Sequence, residues 1–273
     1  ILFFVFQLVP IIWTFYISLT NWKGIGTPEF CGFDNYHKMV IDDMFWESLG
    51  NTVVYWITGL VFITCCALLI ACLLNSRYLK SRGARAFFKT ATFLPNVCAA
   101  IAMGLIFRML FDENVGLVNE MSTALGGSRV PWLTSTTFSK IPVIILNVWR
   151  YTPWFTMIIL SGLLNISKDY YEAATVDGAN AWQQFWFITI PSLKNILFFC
   201  SITLTVDMWK LFNESYILPG PGTSNSSLFQ YMYESGFNVF NMGYASAIGV
   251  VLIVILVIIS IIQFVARHRQ GEI

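Results

Sequence analysis

Of 273 residues, 56% are hydrophobic and only 11% are charged, and the formal net charge is +1. A soluble domain carries about a quarter charged residues, so this chain cannot cover a water-facing surface. The near-neutral balance points to no particular partner, and no nucleic-acid partner is expected.

The apolar residues fall into blocks of about 20, the length that crosses a hydrocarbon core of about 30 Å as a helix. Six blocks are predicted as transmembrane helices, at 2–20, 52–74, 90–111, 141–164, 190–209 and 244–265. Barrel strands would need alternating segments of about 10 residues, and runs such as IGVVLIVILVIISIIQFV do not alternate. The expected fold is therefore an all-α integral membrane protein of one domain over 1–273.

The chain begins at Ile1 without a methionine or a basic flank, which implies residues missing before it. The opening block has no A-x-A-type cleavage site, so it reads as a first transmembrane helix and not as a cleavable signal. In the following loop Asp34 and Asn35 are N-cap types, and Phe45, Trp46 and Leu49 recur at helical spacing, which predicts a short helix. That loop holds Glu29, Asp34, Asp42, Asp43 and Glu47 against Lys23 and Lys38. The next one holds Arg77, Lys80, Arg82, Arg85 and Lys89 without an acid. By the positive-inside rule the basic loop is cytoplasmic, and alternation then puts both termini inside, with Arg267 and Arg269 after the last span.

The connection at 112–140 is too short for an inserted module. Arg108, near the outer boundary, reads as a snorkelling residue, and Trp22, Trp132 and Trp209 as interfacial-belt tryptophans. Polar groups inside spans are expensive, so their presence needs a reason. Asn147, Arg150 and Trp154 share one face of the fourth helix; Thr203, Asp207 and Lys210 share one face of the fifth, both sets toward the outer half. Either Arg150 snorkels or pairs with Asp207 to hold the helices, or these residues line a polar pathway with an aromatic wall. The final outer loop, LPGPGTSNSS, reads as a turn. Gly243 with Ala247, and Ala245 with Gly249, lie four apart on the last helix, a spacing suited to close packing in lipid. Cys65, Cys66, Cys72, Cys98 and Cys200 lie in apolar blocks and Cys31 in an outer loop, which suggests packing residues and neither disulfides nor a metal site.

The stretch 167–191, between the fourth and fifth blocks, is the most informative. Ser167 before Asp169, Glu172, Ala173 and Ala174 predicts a capped helix with acids in its first turns. Gly178 permits a break at positive φ, and Trp182, Phe185 and Trp186 predict a second amphipathic piece before Pro191 and Ser192 open the fifth span. Such an elbow would be stiff by continuity with two transmembrane helices. On these residues alone, an interfacial helix anchored in lipid headgroups is an equally good reading.

This stretch resembles the loop shared by permease subunits of binding-protein-dependent ABC importers: EAA, three residues, G, nine residues, I, one residue, LP. Glu172-Ala173-Ala174, Gly178, Ile188 and Pro191 match at that spacing, with Ile190 in place of leucine. CGFDNYHKMVIDDMFWESLGNTVVY resembles the entry to the second span in carbohydrate importer permeases of the maltose and glycerol-phosphate type. Phe107-Arg108, Gly116-Leu117-Val118-Asn119 and Pro131-Trp132-Leu133 resemble the third-to-fourth span connection of that group, and Met242 to Ala247 the start of its last helix. Asn195, where a proline is common, and the glycine-rich stretch before Asn225 depart from the pattern.

The resemblance implies a second permease subunit, two ATP-binding subunits, an extracytoplasmic solute-binding protein and a bacterial plasma membrane. It implies that the loop, with Glu172, Ala173, Ala174, Asp177, Gly178, Ile188 and Pro191, inserts into a cleft of the ATPase as a coupling helix. No G-x-x-x-x-G-K-[ST] phosphate cradle occurs. The chain is thus expected to be no enzyme and to carry no cofactor, with ATP and Mg bound on the partner. The alternative is an ion-coupled secondary transporter of a small polar solute, although carboxylates avoid the span centres. A membrane enzyme would need convergent catalytic groups, and the two histidines, His37 and His268, stand apart from any cluster.

Overall fold

The structure, a computed structural model, describes residues 2–76 and 81–268; Arg77, Lys80 and Arg269 of the charge argument lie outside these, as do the side chains of Arg82 and Arg85. Among the described residues there is no strand, only an isolated antiparallel bridge between Thr20 and Phe30.

The helices in chain order are α1 (Val9–Ser18, preceded by a π turn Phe4–Leu8), α2 (Asp34–Val40), α3 (Asp43–Asn75), α4 (Arg82–Val97) and α5 (Ala100–Leu110). There follow α6 (Leu117–Ala124), α7 (Lys140–Leu164), α8 (Lys168–Val176), α9 (Ala181–Gln184) with a π turn Phe185–Thr189, and α10 (Ile190–Trp209). The chain ends with α11 (Asn213–Ile217), α12 (Leu228–Tyr233) with a π turn Glu234–Asn238, and α13 (Met242–His268).

Among the described residues, four helical stretches are long and apolar enough to cross a membrane: α3, α7, Ala181–Ile217 and α13. A fifth is counted if Ala86–Val97 and Ala100–Leu110 form one span, which bends by 92° at the break. The expected straight helix at 90–111 is thus two pieces. Pro95 lies inside α4 and Cys98 is extended, with ψ 142°, which ends the hydrogen-bond ladder there. The opening apolar helix, Phe4–Ser18, is shorter than a full span. The block at 52–74 is the inner part of a 33-residue helix, about 50 Å long at 1.5 Å per residue. That exceeds the hydrocarbon core, so its first turns project beyond it.

The chain divides into two compact units. The first comprises Ile1–Tyr55, Gly104–Val143 and Val206–Ile273. In it α1 packs on α13, and the chain just after α1 comes so close to the start of α13 that a Cβ on Gly243 would sit 1.9 Å from the Thr20 carbonyl oxygen. Asp34 and Asn35 do not cap α2, whose N-cap is Phe33. Asn35 is buried and donates from Nδ2 to the Ser18 carbonyl at 2.9 Å and the Thr20 carbonyl at 2.8 Å. Phe45, Trp46 and Leu49 belong to the first turns of α3.

The expected turn at 218–227 is present, and its second half is buried: Ser224, Asn225, Ser226 and Ser227 are all under 4% exposed. Backbone buried in this way needs partners. Asn51 Nδ2 supplies bonds to the carbonyls of Thr223 (2.9 Å) and Ser226 (3.0 Å), Tyr55 Oη to that of Asn225 (2.7 Å), and the Leu228 amide donates to Thr52 Oγ1 (2.8 Å). The connection at 112–140 is built on fully buried Asn119. Its Nδ2 donates to the Glu113 (3.1 Å) and Val130 (2.9 Å) carbonyls, while its Oδ1 accepts from the Val130 amide and Trp132 Nε1, both at 3.0 Å.

The second unit comprises Trp56–Met103 and Ile144–Thr205. Its core includes Ile63, Ala67, Leu146, Phe155, Ile159, Leu193 and Leu204, all fully buried. Gly162 lets α7 and α10 meet: a Cβ there would lie 2.2 Å from Ile196 Cδ1 and 2.8 Å from Leu193 Cδ2. Trp56 Nε1 donates to Thr205 Oγ1 at 3.0 Å, joining α3 to α10.

Candidate functional site

Within the second unit, the stretch 165–191 folds as a two-armed elbow whose turn chemistry accounts for its spacing. Ser167 Oγ accepts from the Asp169 amide at 3.3 Å, capping α8. Nine residues on, the helix ends in a Schellman motif. Gly178 takes φ 80°, its amide donates to the Thr175 carbonyl at 3.1 Å, and the Ala179 amide donates to the Ala174 carbonyl at 2.8 Å. The third residue of Glu172-Ala173-Ala174 therefore receives the bond that closes the motif, and a residue without a Cβ penalty is favoured four positions later.

The second arm starts on a capping box. Asn180 Oδ1 accepts from the Gln183 amide at 2.9 Å, and Gln183 Oε1 accepts from the Asn180 amide at 2.8 Å. The helix then continues through the π turn into α10, with the Ile190 amide bonding the Phe185 carbonyl. Pro191 is the second residue of α10 and does not open it; the helical run begins at Ala181. On the other side the elbow is not continuous with α7. Asn165, Ile166 and Ser167 are outside any helix, so the expected stiffness by continuity holds at one end only.

Glu172 and Ala173 are exposed on the first arm, as is Pro191 on α10. Ala174, Asp177, Gly178 and Ile188 come together in a notch of about 290 Å³ between the arms, closed by Gln183, Gln184 and Phe187. Large apolar side chains of the elbow are exposed: Val176 is 88% exposed, Phe187, which lines the notch, 78% and Trp182 69%. Trp182, Phe185 and Trp186 pack on one another with ring centroids 5.3–6.1 Å apart. Exposed aromatic side chains on an elbow that also carries a notch make a surface suited to burial against another body.

The residues expected to line a pathway lie in different settings. Asn147 is buried, Arg150 is half-buried with its guanidinium 5.3 Å from the Tyr151 ring centre, and Trp154 is 48% exposed. Thr203 donates to the Phe199 carbonyl of its own helix at 2.9 Å, and Asp207 is half-buried on α10. Arg108 is exposed, whereas Trp209 is buried and Trp22 and Trp132 are half-buried. Sequence reasoning missed Tyr171, Thr175, Gln184 and Thr189, which cross-link the two arms. Only the i, i+4 placement of Tyr171 and Thr175 was there to be noticed.

Residues 63–270 match the family model for the binding-protein-dependent transport system inner membrane component. Over 273 residues the chain is 33% identical to the lactose transport system permease protein LacF of Rhizobium radiobacter, with 97% of this chain and 90% of that protein covered. It is 34% identical to the arabinooligosaccharides transport system permease protein AraP of Bacillus subtilis, covering 99% and 86%. In fold it is similar to the crystal structure of a bacterial ABC transporter involved in the import of the acidic polysaccharide alginate, with a TM-score of 0.84 at 23% identity over 98% of this chain and 91% of that one. With more than half its length matched, the chain belongs to the family of binding-protein-dependent transport system inner membrane components.

Proposed function

We propose that the chain is the permease subunit of an ATP-driven importer for a sugar or sugar derivative, which a separate solute-binding protein delivers. The sugar assignment is supported by relatives named for lactose and arabinooligosaccharide transport at 33% and 34% identity over nearly the whole chain. The coupling assignment is supported by one observation: Ala174 of the Glu172 motif, Asp177 and Gly178 line a notch together with Phe187, which is itself 78% exposed.

In this reading the elbow faces the cytoplasm of a bacterial cell and both chain termini lie inside. The elbow seats in a cleft of an ATP-hydrolysing subunit, with a second permease subunit completing the pore. The alanines keep the inserted arm narrow. Glu172 presents a charge to a basic or hydroxyl group, and Asp177, which lines the notch, assists it. ATP and Mg act on the partner subunits, and closure of those subunits pushes the elbow. Asn147, Arg150, Trp154, Thr203 and Asp207 are proposed to line the path taken by the solute, the polar groups pairing with hydroxyls and Trp154 stacking on a sugar ring.

Reconstitution into vesicles tests the proposal. Sugar uptake should require both ATP on the ATPase side and the binding protein on the other. Uptake driven by an ion gradient in the isolated chain would contradict it and support a secondary carrier.

A further inference from the structure

The elbow runs as continuous helix into one of its two flanking helices and is separated by a helix break from the other. Toward α7 the helical ladder stops: the Asn165 amide turns back to the Gly162 carbonyl at 3.0 Å, and the Ile166 amide to that of Leu163 at 3.4 Å. The α8 helix then starts afresh on its own Ser167 cap. Toward α10 the second arm runs on as unbroken helix. Two side-chain links join α8 to that arm. Gln184 Nε2 donates to Thr175 Oγ1 at 3.0 Å, and the Tyr171 and Thr189 hydroxyls lie 2.9 Å apart.

The proton directions in this cluster are mutually consistent. Thr175 Oγ1 donates to the Tyr171 carbonyl at 2.7 Å, which leaves its lone pairs for Gln184. Thr189 Oγ1 donates to the Gln184 carbonyl at 3.4 Å, which leaves it to accept from Tyr171. Gln184 Nε2 also donates to the Ala179 carbonyl at 3.0 Å, holding the turn between the arms.

The π turn makes both links possible at once. Tyr171 and Thr175 are four apart and share a face of α8. Their partners, Gln184 and Thr189, are five apart, which on a regular α-helix would set them about 140° from one another. The i→i+5 bonding of a π turn brings residues five apart back to the same side, and the Ile190 amide makes that bond to Phe185. Thr189 is 6% exposed, so its hydroxyl is held against Tyr171 and away from water.

We propose that Tyr171, Thr175, Gln184 and Thr189 are positioning residues that fasten α8 to α10 through the π turn, so that a push on α8 is delivered directly to α10 and reaches α7 only through the α7–α10 contact at Gly162. This rests on the reading of the elbow as the ATPase contact. It names which helix moves first and which hydroxyls carry the motion.

The test uses the assembled importer in proteoliposomes and measures solute moved per ATP hydrolysed. Tyr171→Phe and Thr189→Val each remove one hydroxyl and should lower that ratio by about two- to tenfold, the factor set by one net hydrogen bond, while ATP hydrolysis continues. Thr189→Ser, which keeps the hydroxyl, should restore the ratio. An unchanged ratio in both deletions overturns the proposal. If Thr189→Val fails to assemble, spin labels at exposed Val176 and Phe187 in the Tyr171→Phe complex provide a second measure. A broadened distance distribution supports the link, and an unchanged one overturns it. Glu172→Lys separates the two claims: full coupling there overturns the ATPase contact, whereas lost coupling there with an intact ratio in the latch variants overturns only the latch.

Discussion

The Ala179 amide reaches back across Gly178 to the Ala174 carbonyl at 2.8 Å, so the end of α8 and the start of the next arm are set by one left-handed residue. A Cβ at Gly178 would meet nothing within 4 Å. Any side chain there therefore costs backbone strain alone, about 1–2 kcal/mol. Gly178→Leu should insert and fold yet lower uptake, both by that strain and by filling the notch. Gly178→Asn, which tolerates the left-handed region, should retain more uptake. Equal, normal uptake from both would show that the turn is not used.

Two close approaches differ in what stands opposite the glycine. At Gly162 the obstacles are the ends of Ile196 and Leu193, which can swing aside; at Gly243 the obstacle is the Thr20 carbonyl oxygen, which is backbone. Gly162→Ala should cost about 1–3 kcal/mol and Gly243→Ala more, read as the thermal unfolding of the purified protein. Gly50, inside α3 with nothing within 4 Å of an added Cβ, is the control. There alanine should be neutral or stabilising by about 0.5–1 kcal/mol.

A pH dependence is expected from Asp42. Burial raises its pKa, but hydrogen bonds from the Tyr231 hydroxyl, at 2.5 Å, and from the Tyr244 hydroxyl, with the Met44 and Phe45 amides, outweigh it and leave the carboxyl below its ordinary value. A lowered folded pKa gives stability that is complete above the unfolded value and is lost as pH falls through the folded one. Tyr231 is shifted the other way, up to about 12, first by burial and then by Asp42. Its contribution is complete below the ordinary tyrosine value of about 10 and is lost as pH rises through about 12. Unfolding midpoints measured against pH should therefore fall at both ends, and Asp42→Asn should flatten the acid side.

Asn119→Leu should loosen the whole 112–140 connection. It removes the partner of the Val130 amide and Trp132 Nε1 and of the Glu113 and Val130 carbonyls. Each buried group left unsatisfied costs about 1–3 kcal/mol. Limited proteolysis should cut this connection faster in the variant, with cleavage elsewhere unchanged.

The parts legible in the sequence are those fixed by neighbours along the chain. The block at 141–164 and the helix from Lys140 to Leu164 nearly coincide, because an apolar run of that length declares itself. The Ser167 cap and the Gly178 break were equally local. The misreadings came from distant partners or from boundaries without an apolar signal. Asn35 looks like a cap until the Ser18 and Thr20 carbonyls are seen beside it. The turn at 218–227 was legible, but its burial was not, because Asn51 and Tyr55, which satisfy its carbonyls, lie 172 and 170 residues away. The outer turns of α3 are polar enough to hide from a search for apolar blocks, and the break after Val97 depends on Cys98 leaving the helical region three residues after Pro95.

The most direct test of the elbow as the contact with the ATPase is thiol cross-linking in the intact complex, with Glu172→Cys introduced into a background freed of native cysteines. Position 172 should cross-link to the ATP-hydrolysing subunit, the yield should change between nucleotide-free and ATP-bound states, and a membrane-impermeant thiol reagent added to whole cells should leave it unlabelled. Labelling from outside, or cross-linking to lipid alone, would contradict the account.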